Sequence, residues 1–280
     1  MRAQAFLSLS SLIVLSSITA LGGIGCAPAA PEPDDNITEV ETDGPEPDES
    51  VDQGSDAVTG GTVAQAVANS CSTTSVKGLS QQIIAEGNCI NPNAYAKIPA
   101  RSNLTLGSAV FPYLEKPARD QLVASLDAHK GTKMTINSAL RTVAQQHLLY
   151  SWYKGGRCSI KLAATPGNSN HETGLALDVS QASTWRTSLQ GHGFHFFGSA
   201  DPVHFDYTGS GAINQKGLDV KAFQRLWNAN HPGDKIAVDG DWGPNTAARM
   251  NKSPAAGFAS GPSCGGSAMI EMTDGEDDPT

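Results

Sequence analysis

The chain has 280 residues, 39% of them apolar, with five cysteines and a formal net charge of −9, which leaves room for one sizeable domain and a small second one. The total hides a division: eleven acids and no Lys or Arg lie between Ala27 and Ala57, five more acids between Glu271 and Asp278, and residues 58–270 keep twelve acids against eighteen bases. Two acidic tails thus flank a mildly basic body, which suits an anionic polymer; no nucleic-acid motif is present, so nucleic acid is not expected as a partner.

In chain order, Arg2 and the apolar run from Ala5 to Leu21 read as an export signal, too short and too rich in Ser and Gly for a spanning helix. It ends in Leu21-Gly22-Gly23-Ile24-Gly25-Cys26, which resembles the lipobox of bacterial lipoproteins except for Gly23, where Leu is usual. The resemblance implies a membrane lipid anchor at Cys26, with plain signal cleavage (signal segment 1–26) as the alternative. Residues 27–69 are acidic and Pro-rich and read as a disordered, self-repelling linker. The remaining Cys71, Cys89, Cys158 and Cys264 are even in number in an exported chain and predict two disulfides, in any of three pairings.

Order is expected from about Cys71. A short helix at Leu79–Glu86 would stop at Gly87-Asn88, and Asn91 to Leu106, with Pro92 and Pro99, reads as loop. Lys116–His129 has helical spacing, with Leu122, Val123 and Leu126 on one face. Met134–Ser138 alternates as a strand, and Thr142 opens a helix to about Tyr153. Further strands are expected at Leu175–Val179, Gly193–Phe196 and Val203–Tyr207, with a short helix at Thr184–Leu189. Helices around mostly antiparallel strands give an α+β domain, residues 70–209, built on a small sheet. Past Gly211, Leu218–Trp227 is an amphipathic helix, Asp239–Pro244 a turn, and Asn245 the cap of a helix to about Met250. These form a small helical domain, 212–256, followed by a tail, 257–280; past Lys252 little order is expected except near Cys264.

The chemistry concentrates in Ser169-Asn170-His171-Glu172-Thr173-Gly174-Leu175-Ala176-Leu177-Asp178 and Asp201-Pro202-Val203-His204. His171, Asp178 and His204 make a plausible three-ligand zinc set with a fourth position left for water. Asp201 is then available as general base. Gly174 lets the backbone turn closely, Ala176 leaves space on the same strand face as Asp178, and Glu172 reads as solvent-facing. His192 and His195 are read as packing rather than ligating residues.

The order Ser-x-His-x-x-Gly-x-Ala-x-Asp, then acid-x-x-His, preceded by Ser138-Ala139-Leu140-Arg141-Thr142 with Gln146, resembles peptidase family M15, the zinc D-alanyl-D-alanine peptidases and phage wall endolysins. The resemblance spans about residues 115–208. It implies the small α+β sheet shared with hedgehog signalling domains, zinc on His171, Asp178 and His204, Asp201 as base, and Arg141, Gln146 and Ser169 in the substrate cleft. Two departures stand out: Asp201 where Glu is frequent, and Val203 where Trp is common. The C-terminal unit, through Val220–Gln224 and Val238–Thr246, resembles the three-helix peptidoglycan-binding domain, and Trp227 and Trp242 either stack on sugar rings or fill a core. Together these imply an exported, lipid-anchored and monomeric zinc peptidase acting on peptidoglycan stem peptides, as a carboxypeptidase or an endopeptidase. A zinc-holding wall-binding lipoprotein without turnover is the alternative.

Overall fold

The computed structural model describes residues 61–264 except residue 93. The expectations for the export signal, the Cys26 anchor, the acidic linker as far as residue 60 and the tail beyond 264 lie outside these residues. Among them, no helix is long and apolar enough to cross a membrane.

Order begins before Cys71. Thr62 and Gln65 form a reciprocal capping box that starts helix α1, Val63–Asn69, whose Val63 and Ala66 are buried. The small polar composition of 58–70 reads as linker; burial of one short apolar stripe against later helices decides otherwise. A 3₁₀ turn at Thr73–Val76 leads into α2, Lys77–Ile90. This helix passes through Gly87 instead of stopping there, because Gly87 lies under the Tyr95 ring, where an added Cβ would meet a ring carbon at 2.7 Å.

The stretch expected as loop holds strands β1, Ala96–Lys97, and β2, Leu104–Leu106, each too short to show alternation. β1 pairs antiparallel with β3, Tyr113–Leu114. Helix α3, Lys116–Ala128, follows, then β4, Met134–Ser138, and α4, Val143–Lys154, which Thr142 caps through a box with Gln145. Next come β5, Ala176–Val179, α5, Ala182–Gly191, β6, Phe194–Phe196, and β7, His204–Tyr207. The main sheet runs β2-β4-β5-β7-β6, antiparallel except that β2 joins β4 in parallel. The α+β class expected from the sequence is the one observed.

One face of the sheet is apolar. Met134, Ile136, Leu177, Val179, Phe205 and Tyr207 pack beneath Leu122 and Leu126 of α3 and Trp185 and Leu189 of α5. Strand alternation turns the neighbours Ala176, Asp178, His204 and Asp206 to the opposite face. Between Ile136 and Ser138 the pairing of β4 with β5 shifts register, so that Ser138 stands opposite Asp178.

A second core is mainly helical. It joins Val63 of α1, Leu79 and Ile83 of α2, and Leu148 and Trp152 of α4 to two later helices, α6, Leu218–Asn230, and α7, Pro244–Lys252. From these come Val220, Phe223, Leu226, Trp227 and Met250. Residues 212–256, expected as a small unit leaning on the main domain, thus bury their apolar faces in a core shared with the first helices. Order also continues past Lys252: Pro254 bridges Thr62, and Ala255 and Phe258 are buried. Asn245 does not cap α7; Gly243 holds that position and Pro244 opens the helix. The disulfides are Cys71–Cys158 and Cys89–Cys264, one of the three possible pairings.

Candidate metal centre

The sheet sets the site by register. Asp178 on β5 stands opposite Ser138 of β4 on one side and opposite His204 of β7 on the other, so three polar residues form a row across three strands. His171 comes from outside the sheet, on a 3₁₀ turn at Asn170–Thr173. Ser169 caps that turn and Glu172 closes a capping box with it; Gly174 ends it with φ +77°. A side chain at Gly174 would meet the Glu115 backbone nitrogen at 2.9 Å, and that nitrogen donates to the Gly174 carbonyl at 2.7 Å. Glycine there is demanded by both conformation and space.

His171, Asp178 and His204 are all buried, and one ligand atom from each lies within 4.8 Å of the others. His171 Nε2 is 3.4 Å from Asp178 Oδ2, and His204 Nδ1 is 3.0 Å from Asp178 Oδ1. A tetrahedral ion with bonds of about 2.0–2.1 Å places its ligands roughly 3.3 Å apart, so the spacing fits one small cation.

The tautomers fit as well. His171 Nδ1 lies 2.8 Å from the Ala139 carbonyl, which only accepts, so Nδ1 carries the hydrogen and Nε2 presents its lone pair. That Nε2 is one of three buried side-chain N or O atoms, among the described residues, with no hydrogen-bond partner. His204 Nε2 lies 2.9 Å from Asp206 Oδ1, which leaves Nδ1 facing Asp178. Each imidazole is therefore held from behind by an oxygen, the arrangement that orients metal-binding histidines. In the ion-free protein, burial opposes charge on His204, but Asp178 and Asp206 together outweigh it and push the imidazole up to about 10. Burial likewise works against the Asp178 carboxylate, yet His171 and His204 hold it well below the usual carboxylate range.

Asp206 was not singled out from sequence. The signal was there, since residue i+2 on a strand shares the face of residue i. Glu172 is a correction: expected to face solvent, it is buried, and its carboxylate accepts from the backbone nitrogens of Gly167 at 2.8 Å and Ser169 at 2.9 Å. Burial raises it well above the carboxylate range, with the Asp219 charge adding to the effect. Here the capping-box spacing Ser169-x-x-Glu172 was the overlooked sign.

Arg141, Gln146 and Ser169 are brought together. The fully buried Arg141 guanidinium donates to Gln146 Oε1 at 3.0 Å, Ser169 Oγ at 3.3 Å and Ser138 Oγ at 3.3 Å, while its backbone nitrogen donates to the His171 carbonyl. Asp201 is buried; its carboxylate accepts from Val203 N at 3.4 Å and its carbonyl from His204 N at 3.4 Å. His192 and His195 are not in the cluster: His192 Nδ1 sits 2.8 Å from the Ser188 carbonyl and His195 is exposed. Trp227 fills the helical core, its Nε1 donating to the Asp234 carbonyl, while the half-buried Trp242 lies against His147.

A small α+β sheet carrying a buried His-Asp-His set defines the class, a domain with three clustered donors that could hold one metal ion. Residues 113–209 match the VanY family, D-alanyl-D-alanine carboxypeptidase, over the stretch that carries the cluster. The chain is also similar to the solved LdcB LD-carboxypeptidase, whose structure reveals the molecular basis of peptidoglycan recognition. That match is 23% identical over 47% of this chain and 73% of the other, with a TM-score of 0.34, too loose to bear on function. No curated protein matches the chain.

Proposed function

We propose that the protein is a zinc-dependent peptidase of the cell envelope, exported and lipid-anchored through Cys26, that cleaves peptide bonds at D-alanine in peptidoglycan stem peptides. The observation that carries this reading is the convergence of His171, Asp178 and His204, with ligand atoms within 4.8 Å, inside a stretch that matches the carboxypeptidase family. Two nitrogens and one carboxylate oxygen are the donor set of a catalytic zinc site. Bound there, zinc would polarise the scissile carbonyl and make water nucleophilic near neutral pH.

The chain's own residues supply the rest. Asp201, three positions before His204 and shielded from solvent, takes the proton of the attacking water and passes it to the leaving amine. Arg141, braced by Gln146, Ser169 and Ser138, receives the anionic end of the substrate. Its planar and permanently charged fork suits a carboxylate. A guanidinium seated so deeply favours a chain-terminal carboxylate over an internal bond, hence carboxypeptidase action. The basic body, between its acidic tails, suits the anionic wall.

Asp201→Ala tests the assignment. The variant keeps its zinc and loses turnover of a D-alanyl-D-alanine pentapeptide by roughly a hundredfold or more. Parallel digestion of a cross-linked muropeptide separates carboxypeptidase from endopeptidase action. Zinc-loaded wild type that is as inert as the variant on both substrates would replace this reading with a wall-binding lipoprotein.

A further inference from the structure

Two consecutive phenylalanines lie at the end of β6, and they face opposite ways. Phe196 joins the apolar face, packed with Phe205 and lying against the Arg186 guanidinium, whose carbon is 3.8 Å from the ring centre. The pairing of β6 with β7 sets Phe196 opposite Phe205 and continues one residue further, where Phe197 N donates to the His204 carbonyl at 3.1 Å. Alternation therefore turns Phe197 to the metal face, beside His204. Its ring meets the His204 imidazole edge to face, with centroids 5.5 Å apart and planes at 85°. His204 is buried, while Phe197 is only half-buried. The row across the sheet thus reads Ser138, Asp178, His204, Phe197, and the last is its one apolar member. Arg141 belongs to the first end, through its 3.3 Å hydrogen bond to Ser138 Oγ.

We propose that Phe197 is a specificity-determining residue: its ring is the apolar wall that receives the side chain of the substrate residue preceding the scissile bond, the penultimate D-alanine. On the carboxypeptidase reading, which this assignment presupposes, the terminal carboxylate sits on Arg141 at the β4 end. The bond is then cut at the donors of Asp178 and His204 in the middle of the row, and the substrate on the amino side of that bond runs toward β6. Three strand spacings separate the ends of the row, roughly 14 Å, and two extended residues span about 7 Å, which leaves the remainder to the side chains of Arg141 and Phe197. A methyl laid on the ring leaves water, and one such group in an apolar pocket discriminates by about tenfold or more.

The test uses the full chain with both disulfides and three pentapeptides, ending in D-Ala-D-Ala, Gly-D-Ala and D-Ala-Gly. Wild type prefers D-Ala-D-Ala over Gly-D-Ala by about tenfold or more in kcat/KM. Phe197→Ala brings that ratio to within about threefold, through a loss on the D-Ala-D-Ala peptide. The ratio of D-Ala-D-Ala to D-Ala-Gly, and Zn2+ affinity by chelator competition, both stay within about twofold of wild type. An unchanged Gly-D-Ala ratio overturns the proposal. Equal losses on all three peptides with weakened Zn2+ binding also overturn it, since the ring then only braces His204. A change confined to the D-Ala-Gly ratio overturns it too, by placing Phe197 at the terminal residue. Should Phe197→Ala not fold, Phe197→Trp carries the test: the larger ring crowds the methyl and moves the preference toward Gly-D-Ala, and an unchanged ratio overturns the proposal. Wild type that cleaves none of the three refutes the peptidase reading. The wall is then decided by calorimetric binding of the same peptides to zinc-loaded Asp201→Ala, with and without Phe197→Ala. A preference for penultimate D-Ala that is lost with the ring supports it, and an unchanged or absent preference overturns it.

Discussion

Asp206 touches no ion in the proposed site, yet it faces the back of the imidazole that would. Replacing it by Ala removes the oxygen 2.9 Å from His204 Nε2, and with it the restraint that leaves Nδ1 facing Asp178. The Asp206 side chain is only 19% exposed, so solvent screening is modest. A charge-assisted hydrogen bond in such a place contributes about 1.5–3 kcal/mol. At about 1.4 kcal/mol per decade this weakens zinc binding by roughly 10–100-fold, the range measured for carboxylate partners of metal-binding imidazoles. Asp206→Asn keeps a neutral acceptor, whose contribution of about 0.5–1.5 kcal/mol leaves it between the two. Chelator competition near neutral pH reads the constants, with His171→Ala as the variant that abolishes binding. Zinc affinity in Asp206→Ala within about twofold of wild type would refute the reasoning, and would mean that strand pairing of β7 with β5 orients His204 unaided.

Gly174→Ala combines a left-handed φ of +77° with a Cβ 2.9 Å from Glu115 N. It destabilises the fold by about 2–4 kcal/mol in denaturant titration, and a loss under about 1 kcal/mol counts against the strain. Cys71 and Cys158 close a loop of 87 residues. Replacing both by Ser costs about 4–5 kcal/mol on the chain-entropy scale, read as a lower denaturation midpoint. Cys89 and Cys264 close 175, and their removal costs slightly more on the same scale. Asp219, pushed up to about 7 by burial, binds its proton more tightly folded than unfolded. Its contribution is complete below the ordinary aspartate range and is lost as pH rises through about 7. Metal-free Asp219→Asn therefore gains on wild type in stability between pH 5 and pH 8, and parallel stability curves would contradict the sign.

Local chemistry was legible wherever neighbours in sequence are neighbours in space. The Thr142 cap, the alternation of Met134–Ser138 and the turn at Gly174 each follow from contacts within a few residues, and each is found. The sequence also supplied a candidate donor set, because His171, Asp178 and His204 sit in a spaced pattern whose residue types bind zinc. It did not show that Glu172 is buried or that Asp206 backs His204. Those facts depend on which strand face meets which helix.

By itself, then, the sequence determined the α+β class, four of the five strands of the main sheet and a candidate set of metal-holding residues. Periodicity and capping are local properties, written at spacings of two to four residues. Only the tertiary structure decided that α6 and α7 close over α1, α2 and α4 in one core, that Cys71 pairs with Cys158 and Cys89 with Cys264, and that Val220 of α6 lies against Gly167 of the loop that leads to His171. Each of these joins segments tens to well over a hundred residues apart, and such partners are selected by the competition of apolar faces for burial.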